Sequence, residues 1–436
     1  MTLISEAFMQ LTSIDENKYS TDLSIPPQWV LNERLEGGRP AGPLWNRLIP
    51  FFKYLSDDSV TELVVNKPHE ILVERGGTWE KHEAPELDYS ALKETSGLIA
   101  SWTQQNIDEV NPILSSTLPT GERIQICGFS SVLAGRFSFT IRKPSNVTIT
   151  LEEYVLNGYF DNTEWVSDVD IHEVMNSRLI TQGQKELALA LHEKRWYDFF
   201  CGAIEHKQNI LLSGSTGSGK TTFMKALVQK VPQDERLLSI ENVDELGLYK
   251  SHDNTVPLFY SSGGQGISKV TQGDLLVSAL RMRPDRVFCA ELLEGNEAFY
   301  YLRNIGSGHP GSITTMHANT AHGAKEQLVI FIKESDAGNS LAKADIISFL
   351  DKTVDIIMQV NKIHNKRSMT QIDFDPLRPY RKPEDTIAKE LKNLVEASRK
   401  RNDNIEAMTK LFRSFFSIVG RFFGKAWADI QTKFKM

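Results

Sequence analysis

The sequence predicts an α/β protein of two domains, a smaller α+β domain followed by a larger one built on a largely parallel sheet. Three observations support this fold class: strand-like runs around one helical stretch in residues 46–143, short apolar strands alternating with helices from about residue 186 to 376, and a glycine-rich turn joining one such strand to a helix. The 436 residues are 40% apolar and 24% charged, which excludes a collagen, a disulfide scaffold and a fully disordered chain.

Changes in composition divide the chain into five segments. Residues 1–45 are polar and interrupted by proline and glycine, so we expect a loosely packed leader. Residues 46–143 form the predicted N-terminal α+β domain, and residues 144–190 are interpreted as a polar linker. Residues 191–376 form the predicted nucleotide-binding α/β domain, and residues 377–436 form a basic, amphipathic helical tail.

Regular alternation of apolar residues places the elements of the N-terminal domain. We expect strands at 60–65, 70–74, 78–81, 123–126 and 136–142, and a helix at 92–103. In the last of these strands Phe137, Phe139 and Ile141 share one face, which predicts that this face points into the core.

Charge and cysteine content indicate the compartment and the class of partner. The net charge of −7 combines a body of −14 with a tail of +7, so nucleic acid is not predicted as a direct ligand. The N-terminus lacks a secretory signal pattern, and Cys127, Cys201 and Cys289 cannot pair evenly, which favours a cytoplasmic location.

One motif decides the class of site. It matches G-x-x-x-x-G-K-T in full, follows the apolar run 209–213 and precedes a helix predicted over 222–231. In this arrangement backbone N–H groups and the helix N-terminus surround phosphates, Lys220 reaches the β- and γ-phosphates, and the Thr221 hydroxyl ligates Mg²⁺. The motif therefore predicts ATP and Mg²⁺ as cofactors, bound by Gly214, Ser215, Thr216, Gly217, Ser218, Gly219, Lys220, Thr221 and Thr222.

Hydrolysis also needs a carboxylate, and two glutamates end predicted strands. Glu291 follows the strand 286–290, where Ala290 occupies the position of a usual aspartate, and Glu241 follows the strand 237–240. Parallel strands place their carboxyl ends at one edge of the sheet, so both glutamates are predicted catalytic residues beside Lys220. Glu291 would organise Mg²⁺ or polarise the attacking water; the alternative is that each is a solvated carboxylate at a strand end.

Two histidines, His309 and His317, flank the next predicted strand. Either imidazole could donate to a γ-phosphate and report its presence to a neighbouring element, so both are predicted catalytic residues; the alternative is a structural role. The stretch 262–265, Ser-Gly-Gly-Gln, is similar to the signature of transporter ATPases. It lies too far from an Asp-Glu strand for that assignment, and we interpret it as a glycine loop.

The order and spacing of these motifs resemble the secretion traffic ATPases of type II, type IV and pilus systems. The resemblance is closest to the VirB11 type, the ring ATPase of type IV secretion, and covers roughly residues 46–376. Its most specific stretches are 280–286 and 308–319, with shorter ones at 60–63, 118–125 and 141–145. The chain departs from the family at Asn242, where an acid is usual, and just after Glu291, where it is one residue longer and lacks an arginine.

The resemblance implies a RecA-like P-loop NTPase domain preceded by a PAS-like α+β domain. It implies a homohexamer of two stacked rings with ATP between them, and ATP hydrolysis that powers substrate transfer or pilus assembly. The implied location is the cytoplasmic face of the bacterial inner membrane, with other ATPases and inner-membrane channel subunits as partners. Arg123 and Arg142 match family arginines that approach the phosphates; the alternative is a salt bridge on the strand surface.

Two other functions remain open from the sequence. One is a pilus assembly or retraction motor, or a type II secretion ATPase, although such proteins often carry a four-cysteine zinc module and this chain has three cysteines. The other is a nucleotide-gated scaffold with little turnover. The tail has a broad aromatic face over 410–434, which could contact a membrane surface, dock on a partner or pack on the ring.

Overall fold

The computed structural model describes residues 42–143, 149–260, 270–363 and 366–381. Most of the predicted leader, the glycine loop at 262–265 and nearly all of the predicted tail lie outside these residues. None of the described helices is long and apolar enough to cross a membrane.

The N-terminal domain is an antiparallel sheet covered by two helices. Its elements are α1 (Gly42–Leu55), β1 (Val60–Val65), β2 (Glu70–Arg75), β3 (Thr78–Glu83), α2 (Tyr89–Trp102), β4 (Ile113–Thr117), β5 (Arg123–Cys127) and β6 (Ser138–Arg142). The strand order is β3-β2-β1-β6-β5-β4, and every neighbouring pair is antiparallel. Residues 42–45, which the sequence assigned to the leader, begin α1, and Trp45 is fully buried in the core.

The core of this domain lies where the alternation predicted it. Phe137, Phe139 and Ile141 are all fully buried, which confirms the predicted inward face. The ring of Phe51 from α1 packs on the ring of Phe139 with centroids 6.1 Å apart, so the helix closes the apolar face of the sheet.

The C-terminal domain surrounds an eight-stranded, mainly parallel sheet. Its elements are α3 (Leu151–Leu156), β7 (Glu164–Trp165), α4 (Ile171–Asn176), α5 (Gln182–His192), α6 (Trp196–Glu205), β8 (Ile210–Gly214), α7 (Lys220–Val228), β9 (Leu237–Glu241), β10 (Thr255–Phe259), α8 (Gln272–Ala279), β11 (Arg286–Cys289), α9 (Gly295–Gly306), β12 (Ile313–Met316), α10 (Ala321–Glu334), α11 (Lys343–Thr353), β13 (Ile356–Ile363) and β14 (Lys366–Phe374). The order is β10-β9-β11-β12-β8-β13-β14-β7; the first six strands are parallel, and β14 returns as a hairpin from β13.

The prediction of a polar linker over 144–190 is wrong for residues 149–190. These residues form α3, β7, α4 and most of α5, and they pack into the core of the C-terminal domain. Their polar character comes partly from helix caps, because Thr150 with Glu153 and Thr181 with Gln184 form capping boxes that begin α3 and α5. The segment also contains many apolar residues, which pack into the core, but acidic and amide residues interrupt them and hide a regular period.

Candidate active site

The pairing of strands in the large sheet places several predicted site residues at the carboxyl ends of these strands. Met316 of β12 pairs with Ser213 of β8, which places His317 beside Gly214. Cys289 of β11 pairs with Ile240 of β9 and with Thr314 of β12, so Glu241 and Glu291 leave the sheet at the same edge.

The phosphate-binding loop lies between β8 and α7, as the motif predicts. Gly214, Gly217 and Gly219 adopt positive φ angles of 157°, 71° and 98°. Gly214 is also required by packing, because a Cβ atom there would clash with the carbonyl oxygen of Val360 on the adjacent strand β13. Of the remaining loop residues, Ser215 and Thr216 are exposed, whereas Ser218 is fully buried.

Lys220 occupies the first position of α7 and turns its side chain back into the loop. Its ammonium group donates to the carbonyl oxygens of Gly214 at 2.8 Å and Ser215 at 3.2 Å, and only 7% of the residue is exposed. Burial lowers the pKa of Lys220, and the negative charges of Glu291 and Glu245 oppose that shift.

The buried ammonium group is not paired with a carboxylate among the described residues. A buried cation held mainly by neutral carbonyl groups is suited to an anionic ligand. The buried Ser218 hydroxyl likewise has no hydrogen-bond partner within the described part of the chain. Thr221 and Thr222 are half-buried in the first turn of α7, directly after the loop. The loop therefore fits the phosphates of ATP.

Glu291 and His317 form a pair facing the loop. The Glu291 carboxylate lies 2.8 Å from His317 Nε2, and His317 Nδ1 lies 3.1 Å from the Gly214 carbonyl oxygen and 3.4 Å from Lys220 Nζ. Both side chains remain partly accessible, with 30% of Glu291 and 44% of His317 exposed. A carboxylate, an imidazole and an ammonium group thus converge at the phosphate-binding loop.

Glu241 reaches the same edge but is fully buried. One of its carboxylate oxygens accepts hydrogen bonds from the peptide N–H groups of Glu245 and Leu246, both at 2.9 Å. Burial raises the pKa of Glu241, and the Ser239 hydroxyl and these two N–H groups oppose the shift. The contacts shown here hold the turn after β9 in place.

The structure does not bring His309 to this site within the chain. His309 precedes β12, at the amino edge of the sheet, and its Nδ1 lies 3.3 Å from the Asn304 carbonyl oxygen. His317 follows the same strand at the opposite edge. The two histidines therefore cannot share one site in a single chain, contrary to the prediction that grouped them.

The two predicted arginines are direct neighbours on the N-terminal sheet. Arg123 of β5 pairs across strands with Arg142 of β6. The Arg123 guanidinium lies 3.1 Å from the carboxylate of Glu245, on the turn that Glu241 holds. The Arg142 guanidinium lies 3.3 Å from Glu62 of β1, which is the strand-surface salt bridge named as the alternative.

Sequence reasoning missed Arg367, at the start of β14. Its Nε donates to the Gly217 carbonyl oxygen at 3.0 Å, and the side chain is exposed beside the phosphate loop. Only the register of the β13–β14 hairpin brings it there, since 150 positions separate Arg367 from Gly217. The sequence signal was two consecutive cations, Lys366 and Arg367, which is too weak to assign a site.

A parallel sheet with a complete phosphate-binding loop at its carboxyl edge defines the class: a P-loop NTPase with a RecA-like ATPase domain. Residues 174–382 match the family described as "Type II/IV secretion system protein". The chain is 41% identical over 333 residues to the type IV secretion system protein VirB11 of Bartonella henselae, covering 76% of this chain and 93% of that protein. It is 38% identical to VirB11 of Brucella suis over 76% of this chain and 89% of that protein.

A solved structure, the VirB11 ATPase of the Brucella suis type IV secretion system in complex with sulphate, is 35% identical over 77% of this chain and 98% of that chain, with a TM-score of 0.43. On the sequence identities, the chain belongs to the VirB11 family of type IV secretion ATPases. This confirms the predicted family, fold class and ATPase activity.

Proposed function

We propose that this protein is a homohexameric, Mg²⁺-dependent ATPase whose site is formed by the phosphate loop, Glu291 and His317. The observation that carries this assignment is the buried Lys220 ammonium group, which the structure pairs with no carboxylate in its described part and places 3.4 Å from His317 Nδ1. A triphosphate would supply the missing negative charge. Family membership favours type IV secretion over a pilus motor or a type II system.

Each side chain has a distinct task in this proposal. The N–H groups of the loop and of the first turn of α7 bind the phosphates, and Lys220 neutralises charge on the β- and γ-phosphates. Glu291 orients the attacking water and accepts its proton. His317 holds that carboxylate through Nε2, 2.8 Å away, while its Nδ1 faces the Gly214 carbonyl oxygen of the phosphate loop.

The Mg²⁺ ion of the nucleotide fits beside the same residues. When bound, Mg²⁺ would neutralise negative charge on the phosphates. The Thr221 hydroxyl, next to Lys220 in the first turn of α7, would ligate it, and Glu291 would hold it through a water molecule. Both are oxygen donors, which this cation prefers.

The assembly would act at the cytoplasmic face of the inner membrane. Arg123 and Arg142 would approach the nucleotide from the ring of N-terminal domains, where a guanidinium spreads its charge over two phosphate oxygens. Other ATPases and inner-membrane subunits of a type IV channel would be its partners, and the tail, outside the described residues, would supply contact with the membrane surface. Substrate transfer or pilus assembly would be the work that hydrolysis drives.

Steady-state ATPase activity of wild type and Glu291→Gln, with native mass recorded on the same samples, tests the proposal. We expect a hexamer that hydrolyses ATP, and a loss of about 10²-fold or more in turnover with unchanged ATP binding in the variant. A hexamer that binds ATP but turns over no faster than Glu291→Gln would instead indicate the nucleotide-gated scaffold. A wild-type mass other than six subunits would contradict the ring.

A further inference from the structure

A buried amide connects helix α8 to the residue proposed to activate water. Gln272 is the first residue of α8, and only 1% of it is exposed. Its amide nitrogen donates to the Glu291 carbonyl oxygen at 2.8 Å and to the Cys289 sulfur at 2.8 Å. Since each acceptor takes one of the two amide hydrogens, the orientation of the group is fixed.

The position of this amide is set by the start of α8. The Thr271 hydroxyl accepts from the Asp274 peptide N–H at 3.1 Å, and the Asp274 carboxylate accepts from the Thr271 N–H at 2.9 Å. This capping box fixes the first turn of the helix. Gln272 therefore extends from a rigid point rather than from a loop.

Strand β11 ends just before Glu291, yet the backbone on both sides of this residue stays bonded to neighbouring strands, since the Leu292 N–H donates to the Thr315 carbonyl oxygen at 2.9 Å. The strand stops at Cys289, and Ala290 is still held by the sheet, since its N–H donates to the Ile240 carbonyl oxygen at 3.0 Å and its carbonyl accepts from the Thr315 hydroxyl at 2.7 Å. The Glu291 carbonyl itself is held by the Gln272 amide of α8 at 2.8 Å and by the Cys289 thiol of β11 at 3.6 Å.

We propose that Gln272 is a positioning residue that fixes the Glu291 main chain and thereby aims its carboxylate at His317 and the γ-phosphate. This inference rests on the proposed role of Glu291. The contacts of Gln272 are to the end of β11, not to the phosphate loop, so its loss should change turnover and leave nucleotide binding intact. A displacement near 1 Å at a reacting group can cost about 10²-fold, so we expect a loss of about 10-fold in kcat.

The test compares Gln272→Met with Asn304→Leu in the full-length protein. Methionine keeps the length and burial of Gln272 but removes both N–H donors. Asn304 is a matched control, because it is 1% exposed and its amide nitrogen also holds α8, through the Leu276 carbonyl oxygen at 2.7 Å. We expect Gln272→Met to lower kcat about 10-fold with KM and the ATP Kd within about 2-fold of wild type, and Asn304→Leu to keep kcat at a comparable loss in Tm.

Equal losses of kcat in the two variants, unchanged kcat in Gln272→Met, or a rise in KM alone would overturn the inference. If Gln272→Met fails to fold, Gln272→Asn decides, since it keeps a polar amide that is one methylene too short to reach Glu291. Glu291→Gln, measured in parallel, separates the two proposals. If Glu291→Gln abolishes turnover and Gln272→Met leaves kcat unchanged, only the positioning role fails; if Glu291→Gln leaves turnover intact, both proposals fail.

Discussion

Asp355 lies immediately before β13, at the amino edge of the large sheet and at the opposite edge from the phosphate loop. Its carboxylate accepts a hydrogen bond from the Asn209 peptide N–H at 2.8 Å. Burial raises the pKa of Asp355 from 3.8 to about 6, although that hydrogen bond and the charge of Arg378 oppose the shift. A carboxyl group of this kind makes the stability of the domain depend on pH.

We predict that Asp355→Asn stabilises the protein relative to wild type at neutral pH but not near pH 4. Because the pKa of Asp355 is higher in the folded state, the unfolded chain loses its proton first, and wild-type stability falls as pH rises from about 4 to about 6. Two pKa units correspond to about 3 kcal/mol, and asparagine keeps an acceptor for Asn209 without titrating.

Urea unfolding of both proteins near pH 4 and near pH 7.5 measures this effect. The difference in the free energy of unfolding, variant minus wild type, should grow toward neutral pH, while other titrating groups cancel. A difference that is the same at both pH values would show that the pKa of Asp355 is not raised in the folded protein.

The residues that the sequence located correctly are those whose position follows from strand order alone. Parallel strands share an edge, so Glu241, Glu291 and His317 had to reach the edge of the sheet that carries the phosphate loop, and Glu291 and His317 face the loop itself. His309 was placed wrongly because it precedes β12, whereas His317 follows it; at about 3.3 Å per residue, the four residues of this strand alone put about 13 Å between its two ends. Arg367 and Gln272 could not be found from the sequence, because tertiary packing alone gives each its partner.

At the level of elements, the segment 149–192 moves the start of the ATPase domain from residue 191 to about residue 149. Tyr154, Tyr159 and Phe160 pack around Phe223 of α7, with ring centroids 5.1, 5.8 and 5.9 Å away. The segment therefore supports the helix that begins at Lys220. The apolar and aromatic residues of this segment follow no single helix or strand period, so their packing was not predictable from pattern.

We predict that Phe160→Ala lowers the free energy of unfolding of the ATPase domain by about 3–5 kcal/mol, the range for a buried aromatic ring. Phe160 is 1% exposed, and its ring lies 4.9 Å from Phe200 and 5.8 Å from Trp196. Leu156→Ala in the same segment is the control; Leu156 is 84% exposed, so we expect a change within about 0.5 kcal/mol. Urea unfolding followed by circular dichroism distinguishes them, and similar small changes in both would mean that the segment is a linker after all.

At the scale of the whole molecule, the N-terminal domain contacts the ATPase domain through a pair of opposite charges. Arg123 lies 3.1 Å from Glu245, and 32% and 22% of their side chains are exposed. Glu245 also contributes negative charge at Lys220 and Lys225. A triphosphate bound in the loop would compete with Glu245 for the same cations, so this carboxylate should oppose nucleotide binding.

We therefore predict that Glu245→Gln tightens ATP binding several-fold, because about 1 kcal/mol of competing attraction corresponds to a factor of about 5 in Kd. The turn itself should persist, since Glu241 holds it through the Glu245 peptide N–H rather than through the side chain. Glu62→Gln is the matched control: it releases Arg142, the cross-strand neighbour of Arg123, but leaves the turn after β9 unchanged. Equilibrium binding of a fluorescent ATP analogue at low and high salt measures both variants. The gain in Glu245→Gln should shrink as salt screens the charges, whereas weaker binding, or an equal gain in Glu62→Gln, would show that Glu245 does not compete with the nucleotide.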